Sequence, residues 1–162
     1  MNAIDLLKLQ HVEVDDMFVE IEKTGSGRRK QELFVKLADN LAAHVKIEES
    51  IFYPAVLAKQ TEEILLESNE EHLSIKRVLA DLLDLDLDDE QFDAKLSVMK
   101  EQVEHHTHGE EERDLFPKVK HLLSADELDA LGGEMLCLFE QLLETAPRTR
   151  VPFEIEAAAS LK

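Results

Sequence analysis

The chain contains few cysteine, proline, glycine and aromatic residues. Its 162 residues include one cysteine, four prolines, five glycines and no tryptophan. Since a disulfide needs two thiols, the lone Cys137 rules out an internal disulfide framework. The scarcity of residues that interrupt helices, together with abundant Leu, Ala, Glu, Lys and Asp, favours helices over strands. The length suits a single domain with a sizeable core.

Basic residues are also few relative to acidic ones, 18 against 36, which gives a formal net charge of -18. A surface of this charge repels phosphate backbones and anionic lipids, so neither nucleic acid nor a membrane is expected as a partner. No apolar run approaches the length of a membrane span. The first residues lack the charged and apolar segments of a signal peptide, so we expect a cytoplasmic protein.

Apolar residues recur at spacings of three and four along most of the chain, which predicts helices with one buried face. Four long helices are expected, over residues 3–23, 28–59, 61–85 and 90–122. Within the second helix, Pro54 predicts a kink or an early end. A capping-box motif, from Ser124 to Glu127, begins a fifth helix over residues 124–144.

The residues that follow have a different character, because Pro147 and Pro152 alternate with Arg148 and Arg150. This composition predicts an extended or loosely docked tail over residues 145–162. The expected organisation is therefore a helical domain, residues 1–144, followed by this tail. The domain would consist of a four-helix bundle, residues 3–122, and the fifth helix.

Each long helix carries one histidine in the middle of its apolar face, and two of the helices add a glutamate one turn later. These polar residues are His11, His44, Glu48, His72, His106 and Glu110. A buried carboxylate beside a buried imidazole is costly unless both are paired or bind a metal. A single histidine of this kind is more often a hydrogen-bonded core residue, but the six residues together favour a metal site.

Two segments of the chain, residues 44–54 and 106–117, repeat each other. Each begins with histidine, contains adjacent glutamates and ends with an aromatic residue and proline. His11 and His72 are 61 residues apart, and His44 and His106 are 62 residues apart. The chain therefore contains two related helix pairs, which would bring the six polar residues together if the pairs face each other.

The apolar pattern of the fourth helix shifts by one residue after Glu110. An inserted residue near Gly109 would produce this shift, and a π-bulge is the expected way for a helix to absorb it. The shift leaves two candidates for the second glutamate. Helical periodicity favours Glu110, whereas the spacing to Pro117 favours Glu111. The predicted ligand set contains Glu110.

Four imidazoles and two carboxylates suit iron, manganese or zinc rather than calcium or magnesium. Carboxylates on two facing helices favour two metal ions bridged by them. The ferritin-like di-iron class requires Glu-x-x-His motifs, and no histidine here has a glutamate three residues before it. His105, His108 and His121 lie off the apolar faces, and we expect them at the surface or behind the ligands.

The combined pattern, His…His-x-x-x-Glu twice over with Tyr53-Pro54 and Phe116-Pro117 after the glutamates, resembles that of hemerythrin-like (HHE cation-binding) domain proteins. The resemblance covers roughly residues 4–119. It implies an all-α, up-down four-helix bundle around two non-haem iron ions. The residues that it assigns to the irons are His11 and His44 for one, His72 and His106 for the other, and Glu48 and Glu110 as bridges.

The resemblance also implies a function: binding or reaction with oxygen, peroxide or nitric oxide. The oxygen carriers of this family have a further histidine one turn before the ligand of the third helix, where this chain has Ser68. Both irons would then keep open positions, which favours reaction over reversible carriage. The alternative functions are an iron or oxygen sensor, in which metal occupancy controls conformation and binding of a protein partner, and a metal-free interaction module.

Overall fold

The computed structural model describes residues 1–161, and every regular element in that range is a helix. The predicted all-α fold is confirmed. We number the helices α1 (Ala3–Lys23), α2 (residues 28–55), α3 (Glu62–Leu83), α4 (residues 92–122) and α5 (Ala125–Leu143). A 3₁₀ helix, Pro147–Phe153, follows α5.

Local sequence signals account for where the helices begin and end. At the start of α1, the Asn2 side chain accepts a hydrogen bond of 2.9 Å from the Asp5 backbone N–H. At the start of α5, the predicted capping box is formed, because Ser124 and Glu127 each bind the backbone N–H of the other. These bonds satisfy N–H groups that a helix leaves unpaired in its first turn.

The apolar faces of α1 to α4 form two core clusters at different levels of the bundle. One contains large side chains such as Phe18, Leu37 and Phe92, and the other contains Ile4, Phe52 and, from the outer helix α5, Met135. Along each of α1 to α4, the polar residues of the predicted metal site lie between these two levels. The site is therefore enclosed by apolar side chains at both ends.

Both α2 and α4 contain π-helical turns. In α2, the α-helical part Arg28–Ile47 leads into a π segment, Glu48–Phe52, and a last turn, Tyr53–Ala55. The helix thus ends directly after Pro54, as the early-end prediction requires. In α4, the segments are Phe92–Glu104, the π segment His105–Leu115, and Phe116–Leu122.

The π turn predicted near Gly109 is therefore confirmed, and the one in α2 is an additional finding. The two turns close in the same way: Tyr53 donates its backbone N–H to the carbonyl of Glu48, and Phe116 donates to that of Glu111. Each donor lies five residues after its acceptor and directly before a proline, which has no N–H to donate.

The tail is docked more firmly than its composition predicts. Arg148 forms an ion pair of 2.9 Å with Asp39 of α2, and Val151 is buried in the core. Further along, the side chain of Asn69 donates to the carbonyl of Ala159 at 3.0 Å. These bonds join residues about 90 or more apart in sequence, so local composition could not reveal them. No helix within residues 1–161 combines the length and apolar character needed to cross a membrane.

Candidate metal centre

Buried imidazoles and carboxylates from α1, α2, α3 and α4 meet between the two core clusters. Each of the following side chains belongs to a residue no more than 4% exposed: His11, His44, Glu48, His72, His106 and Glu111. Five of them are predicted site residues, and the sixth, Glu111, is the alternative to Glu110. Charged side chains are rarely buried so completely without a partner.

Each of the two carboxylates approaches one histidine from each half of the chain. Oε1 of Glu48 lies 2.7 Å from Nε2 of His44, and Oε2 lies 3.0 Å from Nε2 of His72. Oε1 of Glu111 lies 3.4 Å from Nε2 of both His11 and His106. The two carboxylates therefore connect the two pairs of histidines.

All four imidazoles contact a side-chain oxygen on the side of the ring that faces away from the centre of the cluster. In each ring, Nδ1 lies within hydrogen-bond distance of a side-chain oxygen outside the central cluster. The pairs are His11 with Glu112 (2.9 Å), His44 with Gln10 (2.7 Å), His72 with Glu49 (2.9 Å) and His106 with Glu71 (2.8 Å). When Nδ1–H donates to that oxygen, the lone pair of Nε2 points to the centre, which is the arrangement of metal-binding histidines.

Several atoms at the centre make no hydrogen bond within residues 1–161. They are Nε2 of His11 and His44 and Oε1 of Glu48 and Glu111. Nε2 of His44 lies 2.7 Å from Oε1 of Glu48, but the two atoms do not form a hydrogen bond. A buried polar atom without a partner costs about 1–3 kcal/mol. A cation among these atoms would satisfy them together, so the donor set fits a metal ion.

The donor atoms form two overlapping groups, in each of which they lie within 4.8 Å of one another. One group is His11, His44, Glu48 and Glu111, and the other is Glu48, His72 and His106. Since Glu48 belongs to both groups, the arrangement has room for two neighbouring cations that share a carboxylate.

The electrostatics of the cluster favour an ionised Glu48. Burial by itself would raise the pKa of Glu48, but the charge of His44 and close contacts with His106, His44 and His72 place it well below its usual value. Burial would lower the pKa of His106, but the charge of Glu111 and contacts with Glu48 and Glu71 raise it well above its usual value. Without a metal, the raised pKa values of His11, His72 and His106 favour protons on these rings, which offset the negative charge of the cluster.

The position expected for Glu110 has to be corrected. Its carboxylate lies outside the buried cluster, 3.1 Å from Nε2 of His105, and burial with the hydrogen bond and charge of Glu71 raises its pKa to about 7. The π segment widens the helical turn, so His106 and the residue five positions later, Glu111, face the same side. The spacing to Pro117 was the correct signal: Glu48 precedes Pro54, and Glu111 precedes Pro117, by six residues.

Tyr53 is a central residue that the sequence interpretation missed. Its hydroxyl lies 2.8 Å from Oε2 of Glu111, 3.0 Å from Oε2 of Glu48, and 3.3 Å from Nε2 of both His72 and His106. Burial and the charges of Glu111 and Glu48 raise the pKa of Tyr53 well above its usual value, so the phenol is neutral and donates its proton. Its position in the repeated aromatic-Pro motif, one residue before Pro54, was the available signal.

The remaining polar residues near the cluster agree with their expected places. Ser68 is fully buried on α3, and its hydroxyl makes no hydrogen bond within the described chain. His108 bridges Asp15 (2.7 Å) and Glu112 (2.8 Å), and Glu112 in turn holds His11. His121 is exposed.

Comparisons with known proteins agree with this geometry. The chain is 29% identical over 145 residues to the uncharacterized protein Rv2633c of Mycobacterium tuberculosis, a match that covers 88% of each chain. It superposes on the crystal structure of a hemerythrin HHE cation binding domain-containing protein, the Rv2633c homolog from Mycobacterium kansasii, with a TM-score of 0.80 and 26% identity. That match covers 98% of this chain and 97% of the other.

A DNA nickase from Nostoc sp. is 26% identical over 134 residues, which are 83% of this chain but only 38% of that relative. The model of the hemerythrin HHE cation binding domain matches residues 2–119, a range that contains α1 to α3, nearly all of α4 and every residue of the buried cluster. The resemblance seen in the motifs is thereby confirmed, and this chain belongs to the hemerythrin HHE cation-binding domain family.

Proposed function

We propose that the protein holds two non-haem iron ions in the buried cluster and that it binds or turns over oxygen, peroxide or nitric oxide. The observation that carries this proposal is the common arrangement of the four imidazoles. Each is fixed at Nδ1 by an outer oxygen, and each directs Nε2 to carboxylates shared between the two histidine pairs. A structural ion-pair network has no need of this uniform orientation.

The distances support the following roles for the ligands. His11 and His44 would hold one ion, and His72 and His106 the other, because these pairs belong to the two overlapping donor groups. Glu48 and Glu111 would bridge the ions. Mixed nitrogen and oxygen donors suit iron among the first-row metals, and iron, when bound, supplies redox chemistry and affinity for small oxidants.

The other residues of the cluster support reaction rather than carriage. Ser68 offers a hydroxyl where an oxygen carrier has a further imidazole, and a serine hydroxyl is a poor ligand for iron. The Tyr53 hydroxyl lies within hydrogen-bond distance of both carboxylates, can donate its one proton to either, and lies beside the histidine pair of α3 and α4. The apolar residues above and below keep bulk water out, which strengthens electrostatic interactions inside.

The partner that we propose is a small molecule. A net charge of -18 opposes binding to phosphate backbones, so the likeness to part of a DNA nickase does not extend, in our proposal, to DNA. We also propose that the protein is located in the cytoplasm.

A regulatory function is the second candidate, and one chain of contacts favours it. The outer partner of His72 is Glu49, which binds Lys76 at 2.9 Å, and Lys76 lies 3.8 Å from Glu154 of the tail. Loss of metal would change the charge on His72 and so weaken or strengthen its contact with Glu49 and the contacts that follow. The tail would then bind to the bundle differently with and without metal, and a protein partner could recognise the difference.

The proposal is tested by metal analysis of protein purified without chelators, together with an absorption spectrum. We expect about two irons per chain and charge-transfer absorption of ferric iron in the near ultraviolet. His44→Ala and His106→Ala should lose iron, whereas His121→Ala, which changes an exposed histidine, should keep it. One tightly bound zinc without iron, or equal iron in all three variants, would refute the di-iron assignment.

Steady-state assays then separate the two candidates. Continuous consumption of peroxide by the iron-loaded protein supports turnover. Protease sensitivity of the tail that changes with iron, without peroxide consumption, supports the regulatory function.

A further inference from the structure

We propose a second, solvent-facing metal site for a divalent transition-metal ion, formed by Glu71, His105 and Glu110. Glu71 comes from α3, and the other two residues come from the π segment of α4. Nε2 of His105 lies 3.1 Å from Oε1 of Glu110 and 3.5 Å from Oε2 of Glu71. One donor atom from each residue lies within 4.8 Å of the others. We call these three residues the outer site.

The chemistry of the outer site suits a borderline metal ion. One imidazole nitrogen and two carboxylates are donors that Fe²⁺, Mn²⁺ and Zn²⁺ accept. The two carboxylates lie side by side, and Glu67 adds further negative charge to Glu110. Like charges at this separation repel unless a proton or a cation lies between them.

A simple surface ion pair leaves part of this geometry unexplained. Oε2 of Glu110 is buried, and when Glu71 and Glu110 are both ionised no donor among residues 1 to 161 reaches it, although Oε1 faces His105. The side chains of Glu71 and Glu110 are only 19% and 15% exposed, whereas that of His105 is 65% exposed. Two recessed carboxylates under an open imidazole leave room for an ion that keeps water ligands on its outer side.

The outer site is joined to the buried cluster through one carboxylate. Oε1 of Glu71 holds Nδ1 of His106 at 2.8 Å, and Oε2 of the same group faces His105. Consecutive residues of α4 thus serve different sites, since His105 and Glu110 face outward while His106 and Glu111 face inward. We infer that ions pass from the outer site to the buried cluster, a role that rests on the proposed di-iron centre.

Binding at the outer site is tested with Mn²⁺ alone, added to the full chain as purified. Electron paramagnetic resonance measures free Mn²⁺, and we expect one additional bound ion per chain in the wild type. His105→Ala and Glu110→Gln should lose this ion, and His121→Ala should keep it. Unchanged binding in Glu110→Gln, or no binding by the wild type, would overturn the proposal.

Both test variants should fold, because His105 is exposed and Gln has the shape of Glu. Far-ultraviolet circular dichroism checks this, and loss of Mn²⁺ binding with wild-type helicity supports the outer site. If one variant fails to fold, Mn²⁺ binding by the other variant decides whether the outer site exists.

The loading role is tested by adding Fe²⁺ to protein treated with a chelator. In Glu110→Gln, the buried cluster should refill on the order of tenfold more slowly than in wild type but reach the same final iron content, measured after dialysis has removed ions from the outer site. Refilling at the wild-type rate would overturn the loading role. If the wild type takes up no iron in the buried cluster, the proposed function fails, whereas the Mn²⁺ measurement still decides whether the outer site exists.

Discussion

The Tyr53 hydroxyl lies 2.8 Å from Oε2 of Glu111 and is also within hydrogen-bond distance of Glu48. The two carboxylates are therefore joined by a neutral phenol as well as by the histidines. This hydroxyl belongs to α2, whereas Glu111 belongs to α4, so the bond also connects the two halves of the chain.

Replacing Tyr53 by Phe should remove this bond without opening a cavity. In chelator-treated protein, we expect the free energy of unfolding to fall by about 1–3 kcal/mol, because buried carboxylate oxygens lose their donor. In metal-loaded protein the loss should be smaller, since cations would hold the same oxygens. Urea unfolding of both forms measures the difference, and an equal loss in both would show that the hydroxyl acts independently of the metal.

Glu111 and Glu110 provide a matched pair for testing the helical register. Glu111→Gln should reduce the iron affinity of the buried cluster on the order of tenfold or more, because it weakens a bridging carboxylate. Glu110→Gln should leave the final iron content of the buried cluster unchanged. Iron analysis after dialysis measures both, and the reverse result would assign the bridge to Glu110.

Removing the metal should lower the melting temperature. When the free metal concentration is 100 times the dissociation constant, binding adds about 2.7 kcal/mol to the free energy of unfolding. For a domain of this size, that corresponds to a shift of roughly 5–10 °C. Calorimetry with and without chelator measures the shift, and circular dichroism should show that the helices are partly retained. An unchanged melting curve would mean that the polar cluster is satisfied without metal.

The stability of chelator-treated protein should fall as the pH rises. Burial lowers the pKa of His72 and of His11, but contacts with Glu48 and with Glu111, respectively, outweigh this, and the net pKa of both is raised above 6.5. Protonated histidines therefore stabilise the fold fully below 6.5, and this contribution is lost as the pH rises through the folded-state pKa values.

Urea unfolding at a series of pH values measures this trend. Metal binding should show the opposite dependence, since the imidazoles must lose their protons to bind a cation. Stability of the chelator-treated protein that increases above pH 6.5 would contradict the assignment of raised histidine pKa values.

Two adjacent glycines of α5 test how this helix packs on the N-terminus. A Cβ at Gly132 would overlap the backbone carbonyl of Met1, whereas a Cβ at Gly133 would meet nothing described within 4 Å. Gly132→Ala should therefore destabilise the protein by about 1–3 kcal/mol. Gly133→Ala should stabilise it by about 0.5–1 kcal/mol, because alanine favours the helix. Thermal unfolding of both variants measures this, and equal effects would refute the close approach.

The helices and four of the histidines could be predicted because helical periodicity is a local property. Each apolar face places His11, His44, His72 and His106 inward without reference to other helices. Local periodicity could not decide between Glu110 and Glu111, because the choice depends on whether the turn after His106 is α-helical or π-helical. The shift in the apolar pattern indicated a π turn, but only the spacing to Pro117 indicated which glutamate that turn directs inward.

The position of the Tyr53 hydroxyl and the docking of the tail were harder to predict from the sequence, for related reasons. An aromatic residue before proline is expected to fill the core, and nothing local shows where its hydroxyl lies. The tail is held by contacts such as Arg148 with Asp39 and Asn69 with Ala159, which join distant parts of the chain. Composition describes the tail itself but not the groups that it meets.

The two repeated aromatic residues, Tyr53 and Phe116, differ by a single oxygen atom. Tyr53 stacks on His72 with ring centroids 5.4 Å apart, and Phe116 stacks on His11 at 6.1 Å. The pseudo-symmetry of the bundle is thus preserved in the rings and broken at the hydroxyl. Two ions held between these halves would have different surroundings: the one beside His72 and His106 would meet a hydrogen-bond donor, and the one beside His11 and His44 would meet only a hydrocarbon ring.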